Sequence, residues 1–392
     1  MSLSLSQILS NWLAGQTPKE IEYQQLAIEA LADKPRAQAF GITPLNVETI
    51  ILERTKLFQA IATEVLSLPS LQKQEAGGRR QEAGGEGGGS VSDLGKKSTK
   101  QQVILSLWNL WLPLAMQLAL SRQQLCRPLI QGILGGQGTG KTTLATVLRL
   151  ILTHLGYQTL SLSIDDIYKT YEERQQLQQQ DPRLIWRGPP GTHDIELGLQ
   201  LLEQLRQPNP AAPIAVPRFN KSAWGGIGDR SGSELVENVD IVLFEGWLVG
   251  VQPVDPAVFE GNTPAPIQTP ADRSFAREMN ERLRDYLPLW EYLDRLIVLY
   301  PVDYRLSKQW RLQAERDMIA TGKSGMSDDQ ISQFVEYFWK SLHPELFITP
   351  LTRNPSLVDL VVEINPDHTP AAVYSKRQRA EGREGRRKRR FK

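Results

Sequence analysis

The chain has 392 residues, of which 40% are apolar and 23% are charged, and its formal net charge is +1. This length suits one large α/β domain with an accessory region. A single cysteine, Cys126, excludes an internal disulfide, and the start of the chain lacks the basic segment and cleavage site of a signal peptide. We therefore expect a reducing, cytoplasmic setting.

Residues 1–72 are predicted to form an N-terminal helical region. Apolar residues recur at helical spacing over 6–13, 18–31 and 46–66, and the breaks between these segments carry glycine or proline. Residues 73–100 differ sharply, because the sequence from Gln74 to Arg80 is nearly repeated by that from Gln81 to Gly87. Such a composition predicts a flexible, low-complexity insertion.

A strongly apolar stretch from Val103 to Leu120 follows the insertion. Asn109, Pro113 and Gln117 interrupt it, which favours a buried helix over 101–124 rather than a membrane span. We therefore expect no membrane association.

A phosphate-binding loop of the form G-x-x-x-x-G-K-[ST] comes next. An apolar strand at 128–134 precedes it and an amphipathic helix over 144–155 follows it, which is the context that the motif requires. Lys141 is expected to reach the β- and γ-phosphates, and the Thr142 hydroxyl to bind Mg²⁺. A glycine-rich turn without a ligand is the structural alternative. The predicted nucleotide-binding residues are Gly135, Gly136, Gln137, Gly138, Thr139, Gly140, Lys141, Thr142 and Thr143.

Strands and helices alternate beyond the loop. Further strands are predicted at 158–164, 214–216, 241–244, 296–300 and 357–364. This order predicts an α/β fold of the P-loop NTPase class, a parallel sheet with helices on both faces, plus the N-terminal helical region. Ligands then bind at the carboxyl ends of the strands.

Carboxylates follow two of these strands. Asp165 and Asp166 come at the end of the strand over 158–164, where one could accept a proton from an attacking hydroxyl; a helix N-cap is the alternative role. Glu245 ends the strand over 241–244 and is expected to act on Mg²⁺ through water.

Two polar loops lie between these strands and predict a pocket for an anionic substrate. One ends in His193 and Asp194, for which substrate contact and a hydrogen-bonding role at a helix start are both open. Cations suited to holding a carboxylate or phosphate are Arg187, Arg218, Lys221 and Arg230.

A basic helix is predicted over 303–316, after the strand over 296–300. It could close over the nucleotide and bring positive charge to the transferring phosphoryl group. The alternative is an exposed charged helix in which Glu315 and Asp317 pair locally.

The C-terminal residues 375–392 form a basic tail. From Lys376 onward it holds ten Lys or Arg against two Glu, net +8, which leaves −7 on the rest of the chain. The run Arg386–Arg390 could bind nucleic acid, but no aromatic residues interleave with the charges, so a solvated, disordered tail is favoured.

The motifs together resemble the D-glycerate 3-kinase family, the plant and cyanobacterial type of glycerate kinase. They are GGQGTGKTTL, S-x-DD-x-Y, RGPPGTHD, PRFNKS followed by GDR, FEGW, and WRLQAE with GMSDDQ. That family is similar to phosphoribulokinase, uridine kinase and bacterial pantothenate kinase. The resemblance runs from about Gln101 to about Ile364, within a kinase domain predicted over 101–374.

The resemblance implies a specific reaction. ATP with Mg²⁺ would donate its γ-phosphoryl group to the 3-hydroxyl of D-glycerate, the closing step of photorespiratory salvage. By the same resemblance Asp165 is the base, Tyr168 belongs to the substrate site, and Arg305 and Arg311 contact phosphates.

Two other functions stay open on the residues alone. A related kinase acting on a nucleoside, pantothenate or a sugar phosphate would carry the same loop and base. A regulatory GTPase or metallochaperone is the other class, but the only Asn-Lys pair, Asn220 and Lys221, lacks the Asp that guanine recognition needs. The sequence carries no signal for an oligomeric state.

Overall fold

The structure is a computed structural model that describes residues 3–69, 71, 99–320 and 325–375. The predicted insertion, apart from Thr99 and Lys100, lies outside the described residues. The predicted basic tail lies outside them as well, apart from Ser375.

A six-stranded sheet forms the centre, with the strand order β2-β5-β1-β6-β7-β8. Its first five strands run parallel, and the edge strand β8 runs antiparallel to β7. The predicted α/β class and parallel sheet are therefore confirmed. The strands of the protein are β1 Leu129–Gly135, β2 Thr159–Ser163, β3 Ile214–Asn220, β4 Asp229–Val236, β5 Ile241–Gly246, β6 Arg295–Pro301, β7 Leu360–Ile364 and β8 Pro370–Tyr374.

The helices cover both faces of this sheet. One core joins helices α1 to α7 to one face, where Phe58, Leu112 and Leu148 pack with Ile133 of β1. A second core on the other face centres on Phe244 of β5. The helices are α1 Leu5–Leu13, α2 Glu20–Ala32, α3 Lys34–Ala39, α4 Val47–Leu66, α5 Thr99–Ser106, α6 Leu112–Gln123, α7 Lys141–His154, α8 Tyr171–Gln180, α9 Ile195–Leu205, α10 Pro270–Arg282, α11 Leu287–Trp290, α12 Leu306–Ala320, α13 Asp328–Ser341 and α14 Pro344–Leu351.

One strand prediction is corrected by the fold. The segment predicted at 214–216 as part of the parallel sheet is β3, which pairs antiparallel with β4 in a separate two-stranded sheet. Ala215 is exposed between the buried side chains of Ile214 and Val216. A strand with one solvated face suits an antiparallel hairpin better than a parallel sheet covered on both sides.

The apolar stretch after the insertion forms helices α5 and α6, joined by a π-helical turn at Leu107–Trp111. Within the described residues, Lys100–Gln123 is the one helical segment long and apolar enough to cross a bilayer. The protein buries 67% of its most apolar window. Such burial is typical of a core helix, as the sequence predicted.

Candidate active site

The phosphate loop connects the end of β1 to the start of α7. Gly138 and Gly140 have φ angles of +76° and +85°, which side chains other than glycine rarely adopt. The loop is also tight, because a Cβ at Gly135 would lie 2.5 Å from Thr139 Oγ1. Lys141 Nζ donates to the Gly136 carbonyl at 2.9 Å and folds back along the loop. The loop therefore forms a binding site for phosphate in which the backbone N–H groups at the N-terminus of α7 are the donors.

Glu245 lies next to this loop because β5 pairs with β1 in register. Its Oε1 accepts from Thr142 Oγ1 at 3.4 Å, and Ser163 also hydrogen-bonds to it. Burial raises the pKa of Glu245, an effect that nearby Asp165 reinforces and Lys141 opposes. Burial also lowers the pKa of Lys141, against the influence of both carboxylates.

The donor set at Thr142 and Glu245 fits Mg²⁺. Both groups offer hard oxygen ligands, and Mg²⁺ in kinases takes one or two protein oxygens with substrate phosphates and waters completing its shell. No group of three or more His, Cys, Asp or Glu residues in the described part of the chain could hold a metal by itself. The arrangement therefore suits an ion that arrives with a nucleotide.

Asp165 and Asp166 sit on a 3-10 turn that begins where β2 ends, and their side chains have different partners. Asp166 accepts from Ser163 N at 3.0 Å, from Arg218 Nη1 at 2.9 Å and from Phe219 N at 3.3 Å. Asp166 thus completes a capping box at the start of the turn, in which Ser163 is the N-cap residue and its Oγ accepts from Asp165 N. Burial raises the pKa of Asp166, and Arg218 offsets only part of this rise.

Asp165 instead joins the groups around the phosphate loop. Lys221 Nζ lies 2.6 Å from its Oδ2, and Tyr168 hydrogen-bonds to it. Burial alone raises the pKa of Asp165, but Lys221, His193 and Tyr168 together outweigh burial, and the pKa lies below its ordinary value. Asp165 is therefore an ionised carboxylate within the electrostatic reach of Lys141.

His193 is buried beside the same carboxylate. Its ring stacks on Tyr168 with 4.4 Å between centroids, and its Nδ1 lies 2.6 Å from the Tyr286 hydroxyl. Burial lowers its pKa to about 3, so the ring is neutral near pH 7. Its Nε2 is enclosed without a hydrogen-bond partner among the described residues. Asp194 has the hydrogen-bonding role at the helix start that the sequence left open, because it accepts from Leu197 N at the start of α9.

Three of the predicted substrate-binding cations tie the β3/β4 hairpin to its surroundings. Arg218 bridges Asp166 and Glu234, Arg230 pairs with Asp194 at 2.7 Å, and Arg187 donates to the carbonyls at 226 and 227. Lys221 differs from them, because its side chain is 63% exposed and pairs with Asp165. Direct contact of the three arginines with a substrate stays a prediction.

Helix α12 lies over the phosphate loop through Trp310. A Cβ at Gly138 would lie 2.6 Å from Trp310 Cβ, so glycine is what allows this close packing. The two arginines predicted to contact phosphates form ion pairs with carboxylates of the protein. Arg305 is 70% exposed and pairs with Asp303, and Arg311 pairs with Glu315. Their contact with phosphate stays a prediction.

Sequence reasoning gave no role to three residues that complete the site: Ser163, Tyr286 and Trp310. Ser163 occupies the first position of the S-x-DD-x-Y motif, which could have drawn attention to it. Tyr286 holds His193 from 93 positions further along the chain, where no motif marks it. Trp310 falls within a helix whose charged residues were the more visible signal.

The chain is similar to known kinases in sequence and in structure. No protein-family model matches it. It is 32% identical over 256 residues to the chloroplastic D-glycerate 3-kinase of Arabidopsis thaliana. This match spans 62% of this chain and 54% of that protein, so the chain covers about half of the length of that relative. It is 31% identical to the uncharacterized kinase mug58 of Schizosaccharomyces pombe, over 61% of this chain and 89% of that protein. Among solved structures, D-glycerate 3-kinase from Cryptococcus neoformans matches with a TM-score of 0.59 and 28% identity, over 67% of this chain and 96% of that one.

Proposed function

The chain belongs to the family of P-loop kinases that includes D-glycerate 3-kinase, and on this premise we propose that it phosphorylates the 3-hydroxyl of D-glycerate with ATP. The products are 3-phosphoglycerate and ADP. The placement of Asp165 supports the kinase part of this proposal, because this ionised carboxylate faces the phosphate loop from the end of the strand two positions away in the sheet. The choice of D-glycerate as the acceptor rests on the similarity to D-glycerate 3-kinases. We also assign the reaction to photorespiratory salvage, on the family resemblance.

The proton transfer falls to Asp165. A base in phosphoryl transfer must be ionised and within hydrogen-bonding reach of the attacking hydroxyl. Tyr168 donates to Asp165 and fixes its orientation. The stacked rings of Tyr168 and His193 form the wall of the acceptor site next to Asp165. The neutral imidazole offers its enclosed Nε2 to a hydroxyl of the acceptor.

Lys221 is proposed to hold the carboxylate of glycerate. Its exposed side chain reaches Asp165 from the β3/β4 hairpin. A substrate carboxylate competes for the same ammonium group, and its binding loosens the pair of Lys221 and Asp165. Asp165 then becomes a stronger base at the time when the acceptor hydroxyl is in place.

Lys141 and the loop backbone hold the donor phosphates and neutralise charge on the transferring group. Thr142 and Glu245 would hold Mg²⁺ when the nucleotide is bound, and the ion would supply further neutralisation of that charge. Asp165, Lys221 and His193 bind the acceptor, and Asp165 removes its proton.

ADP release with Mg-ATP and a panel of acceptors tests this function. The panel contains D-glycerate, L-glycerate, uridine, pantothenate and ribulose 5-phosphate. Stimulation by D-glycerate above the others is expected, and an Asp165→Asn preparation purified in parallel controls for contaminating kinases. Stimulation by another member of the panel would replace the acceptor, and ATP hydrolysis without any acceptor effect would refute kinase function.

A further inference from the structure

Tyr286 is a fully buried tyrosine that contacts the acceptor site from a distant part of the chain. It ends the 3-10 turn before α11, and its hydroxyl oxygen accepts from Gly191 N at 3.0 Å. The backbone N–H of His193 also hydrogen-bonds to this oxygen. Nδ1 of the His193 ring lies 2.6 Å from the same oxygen. One hydroxyl therefore contacts both the backbone and the ring of the loop that ends in His193 and Asp194.

The proton of the Tyr286 hydroxyl has a single acceptor among the described residues. A phenol carries one proton and two lone pairs, and the two backbone N–H groups can only donate to it. The hydroxyl proton is therefore directed to His193 Nδ1, the remaining polar group in contact with the oxygen. Burial raises the pKa of Tyr286, so the hydroxyl keeps this proton near pH 7. His193 Nδ1 is thus a hydrogen-bond acceptor.

The opposite tautomer of His193 conflicts with the hydrogen-bonding capacity of the Tyr286 oxygen. A proton on Nδ1 would bring three N–H groups to an oxygen that has two lone pairs. The phenol proton would then have no acceptor within the described part of the chain, and a buried donor without a partner is costly. Burial keeps the ring neutral near pH 7, so its single proton resides on Nε2.

The Nε2–H group of His193 is a donor that the protein leaves unpaired. Nε2 is enclosed and has no hydrogen-bond partner among the residues that the structure describes. The ring lies within the electrostatic reach of Asp165. It also stacks on Tyr168, whose hydroxyl bonds to that carboxylate. The unpaired donor therefore lies beside the proposed base, where a bound acceptor molecule can supply the missing oxygen.

We propose that Tyr286 is a positioning residue that fixes His193 as a hydrogen-bond donor, and that His193 Nε2–H donates to the 2-hydroxyl oxygen of the acceptor. The identity of that acceptor rests on the proposed function. D-Glycerate has three polar groups, of which Lys221 is assigned to the carboxylate and Asp165 to the 3-hydroxyl. The 2-hydroxyl is on the neighbouring carbon, so it lies close to Asp165 when the 3-hydroxyl does. A donor directed at the 3-hydroxyl oxygen would instead withdraw electron density from the attacking atom.

This arrangement makes His193 a specificity-determining residue. Its Nε2 already carries a proton, so the ring binds and orients the acceptor and leaves proton removal to Asp165. Lys221, Asp165 and His193 then contact three different substituents of C2: the carboxylate, the hydroxymethyl group and the hydroxyl. Contacts to three substituents of one carbon distinguish its two enantiomers, so the site should prefer D-glycerate to L-glycerate.

Selectivity between D-glycerate and 3-hydroxypropanoate, which lacks the 2-hydroxyl, tests the contact. We expect the kcat/KM of wild type to be about tenfold or more higher for D-glycerate, the worth of one satisfied hydrogen bond. His193→Phe keeps a stacking ring without the donor and should bring the two values close together. His193→Gln retains an N–H donor and should keep part of the preference. A general disturbance of the fold would lower both values and leave their ratio unchanged.

Tyr286→Phe tests the positioning role, with Tyr292→Phe as the matched control. Each substitution removes a hydroxyl that forms a contact of 2.6 Å, but the partner of Tyr292 is Glu203 of α9. Tyr286→Phe should lower the preference for D-glycerate severalfold, and Tyr292→Phe should keep the wild-type ratio. Nitrogen NMR of the full chain, isotopically labelled at its histidines, reports the tautomer directly. With His193→Phe to assign the signals, Nε2 of His193 should carry the proton in wild type.

The outcomes separate the parts of the proposal. A proton on Nδ1 in wild type, or a wild-type selectivity ratio in Tyr286→Phe, would overturn the role of Tyr286. An unchanged ratio in His193→Phe would overturn the contact with the 2-hydroxyl. Failure of wild type to phosphorylate D-glycerate would instead refute the proposed function. The NMR measurement needs no substrate, so it tests the tautomer of His193 even then.

Discussion

Replacing Asp165 and Asp166 separately by asparagine tests whether two neighbouring carboxylates have different tasks. Asp165 is the proposed base, so Asp165→Asn should lower kcat by about 10²- to 10⁴-fold, the usual contribution of a general base. ATP affinity should persist, because the loop and Lys141 are unchanged. Folding should be little affected, since the substitution removes a partly buried charge whose partner, Lys221, is exposed.

Asp166→Asn should give the opposite result. Asp166 accepts hydrogen bonds from two backbone N–H groups and from Arg218, whose guanidinium would lose its buried counter-charge. Loss of one charge-assisted hydrogen bond is expected to lower the free energy of unfolding by about 2 kcal/mol. The kcat of the folded fraction should stay within a few-fold of wild type.

The assay combines steady-state kinetics with D-glycerate, calorimetric ATP binding and denaturant unfolding on the three proteins. We expect the large change in kcat and the large change in stability to occur in different variants. The assignment of Asp165 as the base is refuted if Asp165→Asn keeps kcat within tenfold of wild type, or if Asp166→Asn loses more kcat than Asp165→Asn does.

Three further substitutions test the electrostatics of the site and of the fold. Lys221→Met should move the acid limb of the kcat/KM–pH profile to higher pH, because the effect of burial on the pKa of Asp165 is then opposed only by His193 and Tyr168; an unmoved limb contradicts the pairing. Glu245→Gln should raise the Mg²⁺ concentration for half-maximal rate about 10- to 100-fold in a metal titration, and an unchanged requirement excludes a metal role. Burial lowers the pKa of His343 from its ordinary value of 6.5 to about 4 in the folded protein. As the pH falls, the histidine is therefore protonated in the unfolded chain before it is protonated in the folded protein, and stability decreases between pH 6.5 and pH 4. Over this window the loss for His343 is on the order of 3 kcal/mol, and His343→Asn should flatten the pH dependence measured by denaturant unfolding; an unaltered slope refutes this origin.

Local signals were enough to predict the phosphate loop and its flanking elements. The loop lies between β1 and α7 because glycines at 138 and 140 permit left-handed backbone and because each flanking segment carries its own periodicity. Glu245 was predictable for a similar reason, since a buried apolar strand ending in a carboxylate marks the edge of a parallel sheet.

Contacts between distant residues decided what the sequence left open. The division of roles between Asp165 and Asp166 depends on Arg218, 52 residues beyond Asp166, and on Lys221. The antiparallel pairing of β3 with β4 depends on which strands form hydrogen bonds with each other across the intervening loop. The periodicity of a single segment does not specify its partner. The break of the predicted helix at 101–124 by a π-helical turn is a matter of packing against the core.

The identity of the phosphorylated product is the direct test of D-glycerate 3-kinase activity. Purified protein is incubated with Mg-ATP and D-glycerate, and the products are followed by proton-coupled phosphorus NMR. We expect a new phosphomonoester resonance split into a triplet by the two protons on C3 of glycerate, together with ADP. A doublet from phosphate on C2, or inorganic phosphate as the sole new signal besides ADP, would contradict it.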